Sequence, residues 1–294
     1  MKTPLYEPAV CVIIGTMITL QRSALLLVVL FIGIISFTGL AKADHAWGEY
    51  HWARTSNPFT LQLGDNVSGT WDSYLQTASS DWSLSDVLDT TITAGLAGKN
   101  CRATAGRAEI CAKKYGYNGW LGIAQIWVSG DHITQGVVKM NDTYFNTSKY
   151  NSSAWRNLVM CQEIGHIFGL DHQDENFNNA PLGTCMDYSN DPNPNQHPNQ
   201  HDYDMLEEIY AHLDSSTTIK ESVVSNPPQD RRMDANDDPS TWGREIRRSA
   251  DGRASLFALE HGDGTITYTH VFWAEGEIDG SQRSDIRQDS ERSR

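Results

Sequence analysis

Positive charge is scarce in this chain. Its 294 residues carry 23 Lys and Arg against 37 Asp and Glu, a formal net charge of −14. A field of that sign repels phosphate backbones, so nucleic acid is not an expected partner; it favours solubility and says nothing about fold. Cysteine is sparse as well, at five residues. No pair has the short C-x2-C spacing of a thiolate zinc site, which argues against zinc held by cysteine. No internal repeat is found, and the length suffices for an ordinary core without staples.

What is present begins with an apolar run over residues 24–41 (ALLLVVLFIGIISFTGLA), ending at Ala41-Lys42-Ala43. A small-residue A-x-A site after an apolar stretch, with Arg22 as its positive flank, is a secretory signal, complete even if the true start is Met17. Residues 1–43 are therefore read as a signal peptide and the protein as secreted. An uncleaved run of this length could instead anchor the chain in a membrane, the one route to a membrane partner. Cleavage removes three bases and one acid, which leaves a net charge of about −16. It also removes Cys11, so Cys101, Cys111, Cys161 and Cys185 remain. An even number in an exported domain suggests two disulfides, and of three connectivities the pairs nearest in sequence are Cys101 with Cys111 and Cys161 with Cys185.

Tyr50 to Arg54 and Pro58 to Leu63 read as strands, with Gly64-Asp65-Asn66 as a turn. Trp71, Tyr74, Leu75, Ala78 and Trp82 fall at helical spacing. Residues 87–94 read as a strand and 100–118 as a disulfide-pinned loop. Residues 119–128 and 133–140 are apolar β-branched runs joined at Ser129-Gly130-Asp131. Residues 154–170 form a helix ending at Gly169, 171–200 a long loop, and 202–213 a last helix. These make one domain over 44–215. A linker over 216–240 follows, then a small carboxy-terminal region over 241–294, with a hairpin at 253–273 turning at His261-Gly262-Asp263-Gly264.

The chemistry concentrates in residues 162–172, Gln-Glu-Ile-Gly-His-Ile-Phe-Gly-Leu-Asp-His. Positions 162 and 166 share a helix face and can point at one ion. Glu163 projects beside them, where a carboxylate can take the proton of a water that zinc has made acidic. Gly169 can leave the helix in a conformation other residues resist, and so return His172 to the same ion.

The string resembles the His-Glu-x-x-His-x-x-Gly-x-x-His motif of the metzincin zinc endopeptidases, matrixin-like in its surrounding order, over roughly residues 45–215. Glu163, His166, Gly169 and His172 match, and Met186 stands where the family has its methionine turn. The resemblance implies an α+β fold: a twisted mixed β-sheet with an active-site helix and a carboxy-terminal helix. It implies a zinc-dependent endopeptidase acting on protein or peptide substrates, monomeric, with His166 and His172 as metal ligands, Glu163 as general base and Met186 as the floor. Two positions depart from it. Gln162 replaces the first histidine; its amide oxygen reaches as far as an imidazole nitrogen, so it completes or assists the metal set, as a poorer zinc ligand. Tyr188 stands two residues after Met186, where astacin-like and serralysin-like metzincins place a tyrosine that approaches the metal. Matrixins generally lack it, and Tyr188 either ligates zinc or stabilises the oxyanion. The alternative function is a catalytically silent metzincin fold used for binding, with Gln162 as its mark.

Other candidates carry less. His197 and His201 are alternative ligands on a polar loop, and His51 and His132 are read as structural or exposed. The oxygen-rich strings Asp171–Asn179 and Asn190–Asn195 are candidates for structural calcium, with ordinary turns as the plainer reading. The few residues between signal and first strand leave no room for an amino-terminal pro-domain.

Overall fold

The computed structural model describes residues 45–220 and 237–275. The signal segment and most of the linker lie outside them. Among the described residues no helix is long and apolar enough to cross a membrane.

The protein is α+β, built on a mixed nine-stranded sheet. In chain order the elements are β1 (His51–Trp52), β2 (Phe59–Asn66), α1 (Asp72–Trp82), β3 (Leu88–Ala94), β4 (Ala108–Lys113), β5 (Trp120–Ser129), β6 (His132–Asn141) and α2 (Asp142–Phe145). Then come α3 (Ser153–Ile167), α4 (Gln200–Ile209), β7 (Arg244–Arg248), β8 (Ala254–Glu260) and β9 (Thr265–Trp273). The sheet order is β3-β2-β4-β6-β5-β9-β8-β7, with β1 paired to β6. Pairings from β3 through β6 are parallel; from β6 through β7 they are antiparallel.

Helix α3 is the centre of the molecule. Ser152 caps it by accepting from the Trp155 amide, and every residue from Ala154 to Ile167 except Asn157 is buried. Helix α1 packs on it through Trp82, whose indole N–H donates to the Cys161 carbonyl at 3.1 Å. Trp52 of β1 donates likewise to the Ile167 carbonyl at 2.9 Å. Each indole buries its ring and satisfies its one donor on the helix backbone. Cys101–Cys111 and Cys161–Cys185 are disulfide-bonded, and the second ties α3 to the segment before Met186. Closing a loop of that length contributes about 2–4 kcal/mol through the unfolded chain.

Two expectations need correcting. Gly64-Asp65-Asn66 is not a turn: β2 runs through Asn66 and pairs with β4 from Ala108 to Cys111. The glycine is there because a side chain would overlap the buried Arg107–Glu109 ion pair, with a Cβ only 2.3 Å from Glu109 Oε2. The stretch 100–118 is not all loop, since β4 lies within it. Strand β7, absent from the reading above, lies in the polar stretch beyond the linker; its alternating half-buried side chains leave no apolar run to detect.

The carboxy-terminal region adds three strands to this same sheet. Strand β9 pairs with β5 from Ser129↔Thr265 to Trp120↔Trp273. The described residues 45–220 and 237–275 accordingly form one unit.

Asp214 fastens the chain after α4 back to β1. It accepts from the Arg54 amide and guanidinium, each at 3.1 Å, and lies 3.2 Å from His132 Nε2 and 3.4 Å from His51 Nε2. Burial would push its carboxyl up, but Arg54 and His51 hold it below the ordinary 3.8. Its contribution is therefore present above that value and lost as pH falls through the lower folded one. Asp214→Ala is expected to cost about 1–3 kcal/mol in urea denaturation at pH 7. The gap from the unaltered protein should close below pH 3.8; a gap that stays constant would mean the charge plays no part.

Candidate metal centre

Helix α3 delivers Gln162, Glu163 and His166 from its buried end. The helix stops at Ile167, and Gly169 turns the chain with φ +99°. There a Cβ would lie 2.3 Å from the Tyr50 carbonyl oxygen, so only glycine lets the chain pass. The turn brings His172 back to His166, with their Nε2 atoms 3.0 Å apart.

That approach is chemically informative. His166 Nδ1 lies 2.8 Å from the Leu170 carbonyl, and His172 Nδ1 lies 3.4 Å from Glu175 Oε1. Carbonyls and carboxylates only accept, so each ring carries a proton on Nδ1 and turns its Nε2 toward the other. Two facing lone pairs repel unless a cation lies between them. Burial, reinforced by His172, pushes the His166 pKa well below 6.5, so the His166 Nε2 carries a lone pair. Nδ1 tied to an outer acceptor and Nε2 left open is the state in which histidine binds a metal.

Glu163 is fully buried, and neither carboxylate oxygen has a hydrogen-bond partner. It lies against β5, where a Cβ on Gly122 would be 2.5 Å from Glu163 Oε1. Burial pushes its carboxyl well above the usual range, a direction that a nearby dication reverses. Met186 lies under α3, its sulfur 2.5 Å from where a Cβ on Gly165 would stand. Tyr188 packs its ring on His172, centroids 4.1 Å apart. Gln162 is fully buried, with neither amide atom hydrogen-bonded.

A third histidine joins the pair. His270 of β9 stands opposite Ala124 of β5, on the same face as Phe272 opposite Gly122. That face looks onto α3. One nitrogen from each of His166, His172 and His270 lies within 4.8 Å of the other two, a spread that can close on one ion. His270 Nε2 is 3.2 Å from the Tyr188 hydroxyl, and its Nδ1 has no hydrogen-bond partner. Burial, with the neighbouring histidines, lowers its pKa well below 6.5. Its signal in the sequence is a histidine at an inward position of an apolar strand, Thr269-His270-Val271-Phe272, about a hundred residues from the motif and outside its spacing.

Strand β7 contributes Arg247, which holds both oxygens of Asp171 and lies 3.4 Å from Glu175, the partner of His172. Burial raises the Asp171 carboxyl, but the guanidinium outweighs it and keeps the group ionised beside the cluster.

The remaining candidates lie elsewhere. His197 bonds Asp81 at 2.7 Å, and His201 bonds His45 at 2.9 Å. His51 and His132 belong to the Asp214 anchor. The oxygens of Asp174, Asn176 and Asp191 accept from amides two residues on, the geometry of ordinary Asx turns. A cavity of about 370 Å³ lies beside Phe59, Gln62 and Lys220, and none of its lining comes from the histidine cluster. No protein-family model matches the chain, and no curated protein matches it significantly.

Proposed function

We propose that this protein is a secreted, metzincin-like zinc endopeptidase. The observation that carries the reading is the pair of facing Nε2 atoms on His166 and His172, 3.0 Å apart, next to a buried Glu163 whose carboxylate makes no hydrogen bond. Imidazoles with their outer nitrogens fixed suit zinc, which takes nitrogen ligands at about 2.0–2.1 Å. When bound, zinc supplies the Lewis acidity that makes a water nucleophilic near neutral pH. Glu163, in the ionised form a dication favours, takes the proton of the attacking water and returns it to the leaving amine. Tyr188 stands across the cluster, where its hydroxyl can donate to the developing oxyanion. Met186, packed under Gly165, forms the floor.

A second reading is favoured by one observation: Glu163 and His166 are 0% exposed and His172 6%. A metal-holding but catalytically silent binding protein needs no open site. Zinc analysis of the purified chain, joined to cleavage of an unfolded protein with and without chelator, separates the two. Bound zinc with chelator-sensitive cleavage supports the endopeptidase. Bound zinc without cleavage supports the silent form, and absence of zinc after reconstitution rejects both as metal proteins.

A further inference from the structure

The zinc reading leaves the site one imidazole short, because the helix offers Gln162 where a ligand belongs. We infer that His270 supplies it, so that the metal site is His166, His172 and His270 and is completed by a strand donated from the carboxy-terminal region. This rests on the zinc reading of the same site.

Four observations carry it. The three rings pack on one another, with centroid separations of 4.6 Å for His166–His172, 3.9 Å for His166–His270 and 4.5 Å for His172–His270. His270 is buried at 1% exposure, and its Nδ1 lies 3.8 Å from Glu163 Oε2 without a hydrogen bond, a costly state for a buried polar atom unless something binds there. Its place is fixed: β9 is paired with β5 along its whole length, and Gln125 Nε2 donates to Thr269 Oγ1 at 3.0 Å beside it. The same region sets the second layer, since Arg247 of β7 holds Asp171 and Glu175, which orient His172. A neutral amide oxygen at Gln162 is the weaker zinc donor, and with a third imidazole in place the site does not require it. Tyr188 then acts as the hydrogen-bond partner of a ligand, the arrangement that commonly orients ligating histidines.

Strand β9 has a second effect. It occupies the edge of β5 beside Glu163, so an extended peptide cannot add to that edge by main-chain pairing while β9 is seated. Ligand and cover are the same element.

The test uses the full mature chain. X-ray absorption of the zinc-loaded, unaltered protein counts imidazoles directly: three are expected, and two would overturn the inference while leaving the zinc reading intact. Absence of bound zinc would overturn both. In variants, His270→Ala is expected to weaken zinc binding at least about 100-fold, beyond the 10–100-fold brought by loss of an outer partner. Gln162→Ala should change it less than about tenfold on the same scale. The double variant Gln162→His with His270→Ala should recover most of the affinity, because it returns the ligand to α3. Cobalt(II) absorption should show the coordination lost in His270→Ala and restored in the double variant. Unchanged zinc affinity in a folded His270→Ala protein would overturn the assignment. If His270→Ala does not fold, the imidazole count on the unaltered chain decides alone.

Discussion

Glu163→Gln is expected to lower hydrolysis of an unfolded protein by about 10²–10⁴-fold, the range supplied by a positioned general base. Zinc content should not change. The carboxylate oxygens are buried without partners, so the amide loses no existing hydrogen bond, and its size fits the space beside Gly122. Burial also penalises the charged form of Glu163, so the neutral amide should match or exceed the stability of the metal-free chain at pH 7. The sign follows from linkage. A carboxyl raised in the folded state contributes stability below its unfolded value and loses it as pH rises through the folded value. Loss of activity with stability kept and zinc retained is the expected signature. Residual hydrolysis within tenfold of the unaltered protein would remove Glu163 from the mechanism, and loss of zinc would make it a ligand instead.

Gly169→Ala is expected to destabilise the protein by about 2–5 kcal/mol and to weaken zinc binding with it. Two costs add. An L side chain at φ +99° is strained, and its Cβ would lie 2.3 Å from the Tyr50 carbonyl, which is backbone and cannot rotate aside. The chain around it is fixed as well: the Trp47 amide donates to the Gly169 carbonyl at 2.8 Å, and the Tyr210 hydroxyl to the Phe168 carbonyl at 2.9 Å. Relief by shifting the turn would carry His172 away from His166. Gly183→Ala is the control, because Gly183 has φ +76° but nothing within 4 Å of its Cβ, leaving strain alone at about 1 kcal/mol. Urea denaturation and zinc titration of both variants read the difference. Equal losses in the two would mean that the Tyr50 contact yields.

The motif was legible because helix periodicity is local. Gln162, Glu163 and His166 follow from one element, and Gly169 needs only its own backbone to turn His172 back. The signals for α1, α3, β5, β6 and the β8–β9 hairpin were of the same kind: apolar spacing and turn residues, set by neighbours a few positions away. Both disulfides joined the cysteines nearest in sequence. Strand β4 was hidden in a loop because its partners, β2 and β6, are distant and its signal is weak by itself. Gly64 read as a turn because its reason for being glycine, the Arg107–Glu109 pair, is a tertiary contact.

The amino-acid sequence by itself determined the motif helix and the turn that returns His172, while the α+β class and the histidine expected at position 162 came with the resemblance to metzincins. Only the tertiary structure decided that a third histidine, His270, joins His166 and His172. The addition of β9 to β5 is a long-range pairing whose partner and register no local pattern fixes, and that register alone sets His270 opposite Ala124, facing α3.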